Sequence, residues 1–396
     1  MSTAPLSMRR HIVFFGRTNS GKSSLFNAVL GQQAAIVSEK RGTTTDPVVK
    51  AMELIPFGPV ALADTAGTGD FSDIGSLRMK KSYDMLDRAD VAVYCADPDD
   101  FSEEEYKKAA GLFDKRKIRH LLVFTKADIT DGKTRRELCR AYPEALFVSS
   151  SDQAAVDDLK AVLNGILSGM EEEKPILSGL LSGGAHVVMC IPIDSAAPKG
   201  RLILPQVQLI RECLDLGMTC SCATPDQLGL LIKNCEKVDL VVTDSQAFGQ
   251  VAGIVPEDIK LTSFSMLLAA QKGDIKAMID GAKRIDFLRD NSRVLIAEAC
   301  THNKTHEDIG TVKIPALIRK RTGKNPGFDF CAGHDFPDDL SRYHLVIHCG
   351  GCMITKREMN SRIMRCVEQG VPITNYGVAL AQLSGAGDRC FEVFDA

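Results

Sequence analysis

Residues 343–352 read YHLVIHCGGC, an apolar run that ends in His348, Cys349, two glycines and Cys352. Two thiols separated by two glycines can clip a metal, form a redox pair or coincide by chance. A second set, Cys300 and His302 within EACTH (298–302), closes another apolar run. The chain has 13 cysteines, and only Cys95 and Cys139 precede residue 170. An odd number in a reducing compartment disfavours structural disulfides and gives weight to metal binding or catalysis. Structural zinc usually needs two C-x2-C knuckles or a C2H2 pattern, whereas this chain offers one knuckle and one C-x-H. A thioredoxin-like pair opens a helix directly, whereas here Gly-Gly follows a histidine-bearing strand end. Burial in the core is the default reading for Cys95, Cys190, Cys235 and Cys331. Cys220 and Cys222 of MTCSCAT face one side of a strand and are read the same way.

The second constellation lies near the start. GRTNSGKS, Gly16 to Ser23, fits G-x-x-x-x-G-K-[ST] between an apolar strand and a helical pattern. Gly16 and Gly21 let the backbone wrap phosphates with its N–H groups, and the helix starting near Lys22 adds its positive end. Lys22 supplies charge to the β- and γ-phosphates, and the Ser23 hydroxyl can ligate Mg2+. Further signals follow in the order a GTPase needs. RGTTTD (41–46) brings hydroxyls. DTAG (64–67) places Asp64 to support Mg2+ and the Gly67 N–H to reach the γ-phosphate. TKAD (125–128) places Asp128 to accept from guanine N1–H and its amine. VSSSD (148–152), with Ser150 at its centre, sits where a backbone contact to the guanine carbonyl is expected. The expected nucleotide contacts here are Gly16, Ser20, Gly21, Lys22, Ser23, Ser24, Asp64, Gly67, Thr125, Lys126, Asp128 and Ser150, with GTP or GDP as ligand.

These groups need strands to present them. HIVFF (11–15), PVALA (59–63), DVAVYCA (90–96), RHLLVF (119–124) and ALFVS (145–149) alternate with helical patterns such as 23–30 and 101–115. That alternation predicts a mainly parallel, doubly wound α/β sheet. A helix over 154–170 closes it, and EEEKP (171–175) reads as a linker. Strands at 186–194, 218–224 and 237–244, with helices between, predict a smaller α/β segment without a phosphate loop. Helices from Leu261 and strands at 293–300, 328–333, 343–350 and 372–377 predict a third. At 396 residues, two or three domains are expected. No apolar run is long enough to cross a bilayer, and the N-terminus has too little hydrophobic length for a signal peptide, so the chain is read as cytoplasmic. The net charge of −3 argues against a nucleic-acid binder, and the absence of Trp argues against base-stacking platforms.

The first 170 residues resemble the translation-factor-class GTPases of the Era and MnmE type. GRTNSGKSSLFNAVLG is very similar to their phosphate loop, and Gly42-Thr43-Thr44-Thr45-Asp46 resembles their switch sequence G-T-T-R-D. The resemblance implies that Thr44 joins Ser23 and Asp64 at Mg2+. It also implies that Asn19 binds K+ near the β/γ-bridge, where the cation does the work of an arginine finger. Lys22, Thr44 and Asn19 are then the catalytic residues. Two departures stand out. Thr125 replaces the usual Asn of the base-reading motif, and Thr68 stands where Ras-like proteins carry a water-orienting Gln.

Over the whole chain, a phosphate-loop GTPase followed by C-T-H and H-C-G-G-C, with PKGRLILPQVQ (198–208) between, resembles the HydF family of [FeFe]-hydrogenase maturation GTPases. That resemblance implies a GTPase domain (1–170), a dimerisation domain (176–262) and a cluster-binding domain (263–396). It implies a [4Fe-4S] cluster on Cys300, Cys349 and Cys352, with His302 as fourth ligand and His348 as the alternative. It further implies a homodimeric scaffold that carries the transferable diiron precursor of the hydrogenase active site. Its partners would be two radical-SAM maturases and the apo-hydrogenase. The competing reading is an RNA-associated Era/MnmE-type GTPase with a structural metal site, which predicts a basic RNA-binding domain after the GTPase. A plain metal-dependent GTP switch is a third.

Overall fold

The computed structural model describes the chain outside residues 1–5, 7–8, 32–46, 68–72, 171–174, 194–199, 201, 300–307, 334, 352–353 and 395–396; for 73–78 and 80 it describes the backbone alone. Two compact units emerge, 1–172 with 355–361 and 173–354 with 362–396.

The first unit holds strands β1 (Arg10–Phe15), β2 (Val48–Leu54), β3 (Gly58–Asp64), β4 (Val91–Ala96), β5 (Arg119–Phe124) and β6 (Leu146–Phe147). Its helices are α1 (Lys22–Leu30), α2 (Asp73–Leu86), α3 (Glu103–Lys115), α4 (Gly132–Ala141) and α5 (Gln153–Ser168). The sheet order is β2-β3-β1-β4-β5-β6. All pairs are parallel except β2 with β3. Both faces of β1 are covered, which is why it reads as an unbroken apolar run. Ile12 and Phe14 pack with Leu25 and Phe26 of α1 and Leu159 of α5, while Val13 and Phe15 pack with Phe113 of α3. Sequence reading did not identify β2. Its VVKAMEL carries Lys50 and Glu53 on opposite faces, which breaks the two-residue alternation and is tolerated because the strand lies at the sheet edge. Ser102 and Asp152 start α3 and α5 by accepting backbone N–H bonds.

The second unit carries two further parallel sheets. One contains β7 (His186–Cys190), β8 (Thr219–Ala223), β9 (Leu240–Thr243) and β10 (Lys260–Ser263), ordered β10-β9-β7-β8. Its helices are α6 (Leu204–Asp215), α7 (Pro225–Asn234), α8 (Phe248–Ala252) and α9 (Phe264–Lys272). The other contains β11 (Arg293–Glu298), β12 (Gly327–Ala332), β13 (Leu345–His348) and β14 (Ile373–Asn375), ordered β12-β11-β13-β14. With it go α10 (Ile275–Lys283), α11 (Ile314–Thr322), α13 (Tyr376–Leu383), α14 (Gly387–Phe391) and, from Arg362 on, α12 (Lys356–Glu368), whose first turns are counted with the first unit. Several strands are shorter than the sequence suggests. PITNYG pairs only over Ile373–Asn375, because the Asn375 side chain caps α13. Among the described residues no helix is long and apolar enough to cross a membrane.

Helix α10 lies so close to β14 that a side chain on Gly281 would collide with the Ile373 carbonyl. Gly281→Ala is therefore expected to cost about 1–3 kcal/mol. A fall in the urea midpoint of the terminal domain, with nucleotide affinity unchanged, is the readout.

Candidate functional site

The phosphate loop runs from the end of β1 to the start of α1 and needs unusual backbone at three points. Gly16 has φ 144°, Asn19 φ 61° and Gly21 φ 76°. Any Cβ on Gly16 would strike the Cys95 carbonyl of β4. Gly67, just past β3, sits equally tightly on the Thr18 backbone. Both glycines are thus required by close approach.

Inside this loop Lys22 is buried, and its Nζ donates to the Arg17 carbonyl at 2.5 Å. Burial lowers its pKa, with Cys95 and Asp64 opposing. Burial likewise raises the pKa of Asp64, opposed by the Ser23 hydroxyl and Lys22. Ser23 Oγ donates to Asp64 Oδ2 at 2.6 Å. Asp64 Oδ1 and Ser20 Oγ are buried without a hydrogen-bond partner. A cation held off solvent beside two unpartnered oxygens and a free helix start suits a phosphate with its metal. Of the three residues expected at Mg2+, Ser23 and Asp64 are hydrogen-bonded to each other, and Thr44 falls outside the described residues.

On the base side, Thr125 is buried and its hydroxyl donates to the Ser20 carbonyl at 2.7 Å, with the Ala96 carbonyl at 3.1 Å. Thr125 thus ties the base-reading loop to the phosphate loop. Lys126, at φ 53°, donates Nζ to Asp97 at 2.6 Å. Asp128 is exposed at the loop tip, as are Ser24 on the first turn of α1 and Ser150 beside the buried Ser149. The Ser149 and Ser151 hydroxyls bond to each other at 2.8 Å.

In the second unit, β11 and β13 are parallel neighbours with Ala297 opposite His348. Their carboxyl ends therefore lie side by side, and Ala299 stands next to Cys349. Cys349 is buried, and its Sγ accepts the Ala299 N–H at 3.1 Å and the Gly351 N–H at 3.4 Å. Gly351 has φ 63°, which a tight return requires. Cys300, His302 and Cys352 lie outside the described residues, and no three metal-ligating side chains converge among those described.

His348 is wholly buried. Its Nδ1 meets the Cys349 carbonyl at 2.8 Å and its Nε2 meets Arg362 Nη1 at 2.8 Å. A carbonyl only accepts and a guanidinium only donates, so Nδ1 carries the proton and Nε2 accepts. Both nitrogens are committed within the protein. Arg362 also donates to the Gly333 carbonyl at 2.8 Å and stacks on Phe336. Lys272, the last residue of α9, donates to the carbonyls of Gly351 at 2.8 Å and Ile354 at 3.4 Å.

Sequence reading missed the acidic wall beside this loop. Glu298, buried at the end of β11, accepts from the Tyr376 hydroxyl at 3.0 Å. Burial pushes the Tyr376 phenol far up, reinforced by Glu298, Cys349 and Asp308. A side chain on Gly310 would collide with Tyr376. The available signal was a carboxylate closing the apolar RVLIAE run, two residues before Cys300.

Four of the cysteines read as core differ from that reading. Cys95 and Cys190 are buried, but Cys331 is half-buried on edge strand β12, and Cys235 is half-buried at the end of α7 rather than in a strand. On β8, itself an edge strand, Cys220 is half-buried and Cys222 is exposed.

Known proteins match this chain in three places. Residues 176–273 match the Hydrogen maturase F dimerization domain and 276–393 the Hydrogen maturase F tetramerization domain. Residues 11–126 match the family described as 50S ribosome-binding GTPase. The tRNA modification GTPase MnmE of Bacteroides thetaiotaomicron is 29% identical over 163 residues, covering 38% of this chain and 34% of that one. GTPase Der of Kosmotoga olearia is 28% identical over 162 residues, covering 37% and 36%. The chain thus spans about a third of the length of these relatives. A solved structure of Aquifex aeolicus Era bound to GDP and aluminium fluoride aligns at 20% identity and a TM-score of 0.32, covering 51% of this chain and 65% of that one.

Thr125→Val keeps the shape of the side chain but leaves the buried Ser20 carbonyl without its donor. The expected loss is about 1–3 kcal/mol at the loop. Fluorescent GDP should bind about tenfold more weakly, since 1.4 kcal/mol is a factor of ten. Equilibrium titration of wild type and variant checks it.

Proposed function

We propose, from the premise that this chain belongs to the hydrogen maturase F (HydF) family of GTPases, that it is a GTP-hydrolysing iron–sulfur scaffold and carrier. It receives the diiron precursor of the [FeFe]-hydrogenase active site and delivers it to the apo-hydrogenase. The observation that carries this reading is Cys349. Its sulfur sits at the carboxyl end of a strand, accepts two amide N–H groups, and lies against Ala299, the residue before Cys300. Amide donors to sulfur are what a metal-bound thiolate requires, so this donor set fits a cluster.

Cys300, Cys349 and Cys352 are the proposed cluster ligands. His302 is the proposed fourth, since both nitrogens of His348 are already engaged. His348 then fixes the loop, with Arg362 and Lys272 holding its carbonyl and imidazole groups. When bound, a [4Fe-4S] cluster with one exchangeable ligand supplies an iron position that can take up and release cargo. Residues 176–262 supply the homodimer contact, and the terminal domain extends the assembly, as the names of the matched families indicate. Radical-SAM maturases are the proposed donors.

In the GTPase domain, Lys22 neutralises the β/γ-phosphates, and Ser23, Asp64 and Thr44 hold Mg2+. Asn19, held at φ 61° on the outer curve of the loop, is the proposed K+ ligand. Asp128 reads guanine. One finding favours the RNA-associated alternative, namely the ribosome-binding description of the matched GTPase family. A salt-dependent RNA-binding assay separates the two.

GTP turnover is expected to be at least about tenfold faster in K+ than in Na+, because the cation replaces an arginine finger. Asn19→Ala should erase the difference. Equal wild-type rates in the two salts would refute the cation mechanism.

Cys349→Ser is expected to abolish cluster assembly while leaving GTPase activity near normal. Iron and sulfide content after anaerobic reconstitution, with an electron paramagnetic resonance spectrum, gives the answer. A full cluster in the variant would sink the ligand assignment.

A further inference from the structure

Away from both sites, the middle sheet carries a second sulfur arrangement at the opposite, amino-terminal edge of its strands. Cys235 ends α7, and its Sγ lies 3.8 Å from Nε2 of His186, the first residue of β7. The ring's other nitrogen, Nδ1, is 2.7 Å from Oγ1 of Thr219, the first residue of β8. The backbone under the imidazole is fixed twice over. His186 N donates to Asp239 Oδ2 at 2.9 Å, and Asp239 N donates to the His186 carbonyl at 3.0 Å. Asp239 is itself held by Lys237 at 2.6 Å. Cys235 and His186 are both half-buried, so solvent reaches the pair.

We propose that Cys235 and His186 form a nucleophilic thiol site that exchanges with small disulfides. In the reactive tautomer the ring proton sits on Nδ1 and is donated to Thr219, which leaves the Nε2 lone pair facing the thiol. This is the pattern of a nucleophile beside a base, with the base oriented by a third group. In the step, Nε2 takes the Cys235 proton and the sulfur attacks one sulfur of the disulfide. The disulfide S–S bond breaks, and the departing thiolate leaves with the proton from His186. One protein thiol and one disulfide become one mixed disulfide and one small thiol, so no other oxidant is needed. Among the described residues, Cys213 and Cys222 have no histidine within hydrogen-bond distance of the thiol. Burial pushes Cys213 up to about 12, and Cys222 is exposed with its thiol raised by burial and by Cys220.

The test treats the reduced full-length protein with oxidised glutathione at neutral pH, quenches it with acid, and follows each cysteine by peptide mass spectrometry. Cys139 and Cys222 are exposed internal references. Cys235 is expected to form its adduct at least about tenfold faster than either, the lower range of general-base assistance. His186→Gln should reduce that rate to the reference level, and Thr219→Val should slow it by loosening the ring. A wild-type Cys235 no faster than Cys139 and Cys222 overturns the proposal, as does an unchanged rate in a folded His186→Gln protein. If that variant does not fold, the wild-type comparison alone decides.

Discussion

Parallel strands place their carboxyl ends on one edge, and both candidate sites of this chain are consequences of that constraint. In the GTPase sheet, β1, β3, β4 and β5 end together, so the phosphate loop, DTAG and TKAD converge although they are spread over more than a hundred residues. In the terminal sheet, the same pairing brings the ends of β11 and β13 together. Long-range side-chain bonds such as Thr125 to Ser20 and Lys272 to Gly351 tie loops that the strands have already brought together. The backbone ladder performs the assembly, and the side chains only finish it.

Burial then makes each edge reactive. Lys22 and Asp64 are both held where their charged forms are penalised, so they gain most from a ligand that supplies the opposite charge. The terminal loop follows the same logic with softer atoms. Cys349 is buried and accepts two amide N–H groups, and the Glu298–Tyr376 pair lies within electrostatic reach of it. Arg362 and Lys272 satisfy the groups that such enclosure would otherwise leave unpaired.

The sequence was legible where a short run carries its own geometry. GRTNSGKS dictates glycines at positive φ and a lysine at a helix start, and the backbone follows. Buried central strands such as HIVFF were equally plain. Edge strand β2 was not, because its mixed pattern suits a solvated face and imitates a loop. The partners of His348 were invisible for a different reason. Arg362 is 14 residues away, and only the packing of α12 on the sheet brings it to the ring. Thr125 carries the opposite lesson. In the sequence it shows only as a departure from the usual Asn, yet its hydroxyl makes the loop-to-loop bond itself.

The Lys272 contact has a consequence for how such a chain can change over time. Its ammonium belongs to the last helix of the middle domain, but it anchors the carbonyls of Gly351 and Ile354 in the terminal one. The two matched families meet just beyond it, between residues 273 and 276. A recombination joint drawn at that seam would hand the cysteine loop to a stranger's helix. A chimera that respects the apparent boundary still has to carry this lysine across it to keep the contact.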